Sequence, residues 1–178
     1  MNRKSTTVKA MLAAALLLVA GTAVASGKHA GGHADATIGE PGVIAEAART
    51  VVVDMADTMR FSPARITVTQ GETIRFVVKN SGNIKHEFVL GTARELKEHY
   101  AAMKKFPEME HADENMVTVA PGQTGEVVWK FSQSGKVDFA CLQPGHYDAG
   151  MKGRVVVKKN VIPANKKVTP SDETGHRH

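Results

Sequence analysis

The sequence predicts an all-β domain, an antiparallel sandwich or barrel, with one short helical insertion. Three observations predict it. Seven segments are strand-like, most of them alternating apolar and polar residues. Turn dipeptides separate them. One stretch, Thr92 to Phe106, instead carries helix start and stop signals. The chain of 178 residues, 42% hydrophobic and 23% charged, has room for one domain with a true core and is too apolar to be wholly disordered.

In order, Arg49 to Met55 (RTVVVDM) is rich in β-branched residues. Ile66 and Val68 alternate with Arg65, Thr67 and Thr69, and Ile74, Phe76 and Val78 share a face. Ile84, His86, Phe88 and Leu90 do the same in the next run. Val127, Trp129 and Phe131 follow, then Val137, Phe139 and Cys141, then Val155 and Val157. Gln70-Gly71, Ser81-Gly82, Pro121-Gly122 and Ser134-Gly135 mark the turns. In the helical insertion, residues 92–106, Thr92 and Glu95 fit a capping box and Pro107 closes the segment.

The ends read differently. Met1 to Lys9 carries three basic residues and no acid, Ala10 to Ala20 is apolar, and Ala23-Val24-Ala25 supplies an A-x-A site. This is the pattern of a secretory signal peptide over residues 1–25, cut after Ala25, and too short to span a bilayer. Its removal lowers the formal net charge from +5 to +2 and takes away the basic balance that nucleic acid would need. No cysteine stands near the cut, so no lipid anchor is expected, and the protein is expected to be periplasmic. Residues 26–48, rich in Gly, Ala and His, are expected to be a flexible lead-in, and residues 159–178 a loose tail. The domain then spans residues 49–158 and is expected to be monomeric.

Export makes the single cysteine, Cys141, conspicuous, because an unpaired thiol is a liability in an oxidising compartment. It opens the segment Cys141-Leu-Gln-Pro-Gly-His146-Tyr-Asp-Ala-Gly-Met151, a C-x4-H-x4-M spacing. A thiolate, an imidazole and a thioether follow one another just after a strand. His86 sits on the apolar face of an earlier strand. Two His and one Cys with a weak thioether form the donor set of a type 1 copper centre. The thiolate gives a polarizable bond, neutral imidazoles suit both copper oxidation states, and a soft thioether favours Cu(I) without locking the geometry. Pro144-Gly145 is placed to turn the chain so that His146 returns to the same metal, and Gly150 allows a second bend before Met151.

These residues resemble the cupredoxins, the small blue copper proteins that include azurin, plastocyanin and pseudoazurin. The resemblance covers roughly residues 49–158 and rests on Lys85-His86-Glu87-Phe88 and the CLQPGHYDAGM loop. It implies a Greek-key β-sandwich, one copper per chain, and one-electron transfer with a partner protein. His86, Cys141 and His146 would be equatorial ligands and Met151 axial. HEFVLG, the helical insert and the loop are similar to a periplasmic subgroup associated with bacterial copper tolerance. Glu87 departs from the family, several of whose members place there an Asn that helps fix the thiolate loop.

A non-enzymatic copper protein is therefore expected, handling copper in tolerance, transferring electrons, or both. The alternative is a dedicated diffusible carrier to a respiratory redox enzyme with no part in tolerance. More remote is a hydrolase with a Cys–His pair, for which no nucleophile-elbow context surrounds Cys141. Surplus soft residues, His99, Met103, Met109, His111 and Met116, suggest an accessory Cu(I) site in the insert, or methionines that only fill gaps beneath it.

Overall fold

The computed structural model describes residues 38–107 and 112–161. The signal-peptide reading, the first part of the lead-in, Met109, His111 and most of the tail lie outside them.

Among the described residues ten strands form two five-stranded sheets. The strands are β1 (Glu40–Pro41), β2 (Arg49–Ala56), β3 (Arg60–Ser62), β4 (Arg65–Thr69), β5 (Thr73–Asn80), β6 (His86–Gly91), β7 (Met116–Val119), β8 (Thr124–Lys130), β9 (Gly135–Ala140) and β10 (Lys152–Lys158). One sheet runs β1-β8-β5-β2-β3, the other β4-β10-β9-β6-β7. Alternation puts Ile74, Phe76 and Val78 of β5, Val127 and Trp129 of β8, and Val137 and Phe139 of β9 into the core between them. The sheets are not purely antiparallel: β2 pairs with β5 and β4 with β10 in parallel. Period-two patterning specifies a face and not a strand direction, so the sequence carried no sign of these two pairs.

The helix α1 (Ala93–Lys105) forms as its sequence predicts. Thr92 accepts from the Glu95 amide, and the Glu95 carboxylate accepts from the Thr92 amide. Leu96, Tyr100 and Met103 make one buried stripe that covers Val89, Ala140, Leu142 and Met116. This second cluster lies on the face of β6 and β9 away from the main core. Every residue of β6 is consequently buried, Glu87 included.

Two expectations change. The strand bearing His86 starts at His86 itself, and Ile84 lies outside it, 42% exposed, with its carbonyl accepting from Asn80 Nδ2 at 2.8 Å. Residues 38–48, assigned by composition to a flexible lead-in, are built into the domain. Ile38 is buried, its carbonyl accepts from Trp129 Nε1 at 2.8 Å, and β1 pairs with β8. Their low complexity hid these contacts, which are all with residues about ninety positions away.

Candidate metal centre

Strand pairing delivers the site. β6 runs antiparallel to β9, and β9 antiparallel to β10. The start of β6, the end of β9 and the start of β10 therefore meet at one end of the sheet. Those positions carry His86, Cys141 and Met151. The loop between Cys141 and Met151 closes on itself: His146 N–H donates to the Gln143 carbonyl (3.0 Å), Met151 N–H to that of His146 (3.1 Å), and Cys141 N–H to that of Met151 (3.1 Å). Gly145 and Gly150, with φ of 87° and 91°, make the two bends that were expected of them.

The donor atoms converge. Cys141 Sγ lies 3.9 Å from His86 Nδ1 and 3.2 Å from His146 Nδ1. The ligand atoms of the three residues all fall within 4.8 Å of one another. The two imidazole rings stand 4.9 Å apart at 52°. His86, Cys141 and Met151 are wholly buried, while His146 keeps an edge toward solvent. Burial pushes the Cys141 thiol up to about 12, against the pull of the Glu87 and Gln143 amides. Burial, and then the His86 ring, hold His146 below its ordinary value, so it is neutral and ready to ligate. Two imidazoles and one sulfur converging at the edge of the core fit type 1 copper. They do not fit a nucleophile, which needs a thiolate and access to a substrate.

Glu87 takes over the loop-fixing role without an Asn. Its amide donates to Cys141 Sγ at 3.3 Å, and its carboxylate accepts from the Gln143 side chain inside the ligand loop. The helical insert supplies a second clamp, which sequence reasoning missed. Tyr100 donates its hydroxyl to Asp148 Oδ2 (2.8 Å) and accepts from the Gly145 amide (3.0 Å). Its ring stacks on Tyr147 at 4.9 Å, with Lys152 Nζ 3.8 Å from the Tyr147 centroid on that ring's face. The one available signal was that Tyr100 shares the apolar face of α1 with Leu96 and Met103. Tyr100→Phe is expected to cost about 1 kcal/mol of stability and to speed hydrogen exchange at Gly145. Exchange at the wild-type rate would mean that the phenol does not anchor the loop.

Residues 47–158 match the family described as copper binding proteins, plastocyanin/azurin family. The chain belongs to that family. It is 56% identical over 133 residues to the copper-resistant cuproprotein CopI of Rubrivivax gelatinosus, spanning 73% of this chain and 81% of the relative. With the copper-resistant cuproprotein CopI of Pseudomonas aeruginosa it shares 34% identity over 177 residues, 83% of this chain and 97% of that one. Among solved structures auracyanin B superposes with a TM-score of 0.57 at 23% identity, covering 67% of this chain and 96% of its own, which establishes the cupredoxin fold. The family's metal is copper, and the three clustered donors, with Met151 closing the loop beside them, suit it.

Of the surplus soft residues, His99, Met103 and Met116 are among those described. Met103 and Met116 pack in the cluster beneath α1, and His99 is half-buried on the helix next to Tyr100. Met109 and His111 lie outside the described residues.

Proposed function

We propose that this protein binds one type 1 copper in the periplasm through His86, Cys141 and His146, with Met151 as the weak axial donor, and uses it for one-electron transfer in copper tolerance. The observation that carries the reading is the convergence of three donors within 4.8 Å, two of them fully buried. The similarity to CopI cuproproteins supports the tolerance role, and the signal-peptide pattern supports export. When bound, copper supplies the Cu(II)/Cu(I) couple, and a separate redox partner gives or takes the electron. The chain's own part is to hold the ligands still. Glu87 and Tyr100 brace the loop, the apolar core excludes water from Cys141, and His146 offers its exposed edge to the partner. A set of donors fixed between the preferences of the two oxidation states needs little rearrangement on electron transfer.

Deletion in the host, with growth on graded copper and respiration followed together, tests the role. Copper sensitivity restored by the wild type but not by Cys141→Ser is the expected result. A respiratory defect with unchanged copper tolerance would favour a dedicated carrier instead. Met151→Leu is expected to keep copper and raise the reduction potential, because an apolar side chain replaces a weak donor. Loss of copper at neutral pH in that variant would contradict an axial role.

A further inference from the structure

The face of His86 away from the proposed metal carries a contact that the ligand set leaves unexplained. With Nδ1 directed at Cys141 Sγ, the ring proton belongs on Nε2, which points the other way. His86 is wholly buried, so water does not serve that proton. Its partner is Asp57 Oδ1 at 3.1 Å. A buried N–H left without an acceptor would be costly, and a carboxylate is a stronger acceptor than a carbonyl.

Asp57 is itself held in place. It follows β2, whose end lies beside the end of β5 because the two strands run parallel. The 81–84 segment after β5 folds over it. Asn83 donates its amide to Asp57 Oδ2 at 2.7 Å and its side-chain nitrogen to the same oxygen at 3.3 Å, leaving Oδ1 for His86. Ser81 ties the segment down, donating its amide to the Met55 carbonyl at 2.9 Å and its hydroxyl to Asp54 Oδ2 at 2.7 Å. Gly82 makes room: a Cβ there would stand 1.9 Å from Asp57 Oδ1 and 3.1 Å from the Asp57 amide nitrogen. The Asp57 side chain is 35% exposed, so its charge is hydrated on one side while it meets the imidazole on the other.

We infer that Asp57 is a positioning residue for the copper centre, forming a carboxylate–imidazole–metal relay through His86 that fixes the ring's tautomer and orientation and biases the centre toward Cu(II). The inference rests on the type 1 copper reading proposed above. A carboxylate on Nε2–H makes Nδ1 a more basic donor, and its negative charge favours the more highly charged metal ion. Cu(I), softer and singly charged, gains less.

Asp57→Asn keeps the shape and one acceptor oxygen, which serves the buried His86 N–H while water meets the exposed Asn83 groups, but removes the charge. It is measured in parallel with Gly82→Ala, whose methyl would displace Oδ1. In each, the copper-loaded protein is titrated for its reduction potential, and Cu(II) and Cu(I) affinities are found by chelator competition. Asp57→Asn is expected to keep the visible band and the unfolding temperature of the copper-free protein. Cu(II) affinity should fall about tenfold with Cu(I) affinity held, so that the potential rises by the equivalent about 59 mV. Gly82→Ala should move the potential in the same direction. An unmoved potential in both variants, or equal losses of Cu(II) and Cu(I) affinity, would overturn the inference, since a purely structural role predicts no preference between oxidation states. A wild-type protein with no thiolate-to-copper band would overturn the copper reading and this inference together. A blue wild type with unmoved variants overturns this inference alone.

Discussion

Cys141→Ser abolishes the strong visible band and the tight copper site, and this is the largest single effect expected. The band needs a thiolate-to-Cu(II) transition, and a serine hydroxyl is a hard, protonated donor that cannot supply it. The surrounding hydrogen bonds survive, because the serine oxygen can accept from the Glu87 amide as the sulfur does. The copper-free variant therefore folds, and its loss is chemical. The same variant exposes a proton linkage. The thiol in the copper-free protein is pushed up to about 12, so copper must expel a proton from it at any physiological pH. Wild-type affinity for copper is expected to rise about tenfold per pH unit from pH 7 to 9, and that component should be absent in Cys141→Ser. Stability carries the opposite sign. Folding holds the thiol protonated above its ordinary 9.0, so the contribution is complete below that pH and is lost as pH rises toward 12. Chelator competition at several pH values and urea unfolding of both copper-free proteins check the two slopes. A wild-type affinity flat with pH, or a coloured serine variant, would remove Cys141 from the site.

The proposed metal ligands were legible because three of the four lie within eleven residues of one another, and a short loop between strands leaves little freedom about where they point. His86 was legible through its position on an apolar strand face and through the Lys85-His86-Glu87-Phe88 motif. The strands at Arg65–Thr69, Thr73–Asn80 and Gly135–Ala140 were visible as alternation, and the helix as its cap. What escaped depends on distant partners. Asp57 is an ordinary acid in a turn until the parallel pairing of β2 with β5 brings it to the 81–84 segment and His86. Glu87 reads as the polar side of a strand, yet it is buried, with Thr118 of β7 and Gln143 of the ligand loop against its carboxylate. Residues 38–48 carry no period at all, and their order comes from β8 at one end and from Thr73 of β5, which accepts from the Ala48 amide, at the other. Alternation reports a residue's face, a local property. Strand direction and cross-sheet contacts are properties of the assembled fold.

Phe139→Ala is the largest stability loss expected outside the metal site, about 3–5 kcal/mol. Phe139 is wholly buried on β9, two residues before Cys141. Its ring packs edge-on against Phe61 at 5.1 Å and tilted against Phe88 at 5.0 Å, joining β3 and β6 through β9. On the neighbouring strand it faces Gly153, where a Cβ would stand 2.2 Å from the ring, so the glycine is the space that the ring fills. Strands on both sides are fixed by their ladders, and truncation leaves a cavity that cannot fully collapse. A domain of this size has a total stability of about 5–15 kcal/mol, so the copper-free variant should sit near or beyond its unfolding threshold. Copper that binds only the folded chain offsets part of the loss, about 2.7 kcal/mol at a free concentration one hundred times its dissociation constant. The expected pattern is a copper-free protein that unfolds at markedly lower urea and a loaded protein that recovers part of the difference and keeps its colour. A loss below about 1 kcal/mol without copper would mean that the core closes over the missing ring, and that Gly153 and Phe139 are not the fitted pair their geometry makes them.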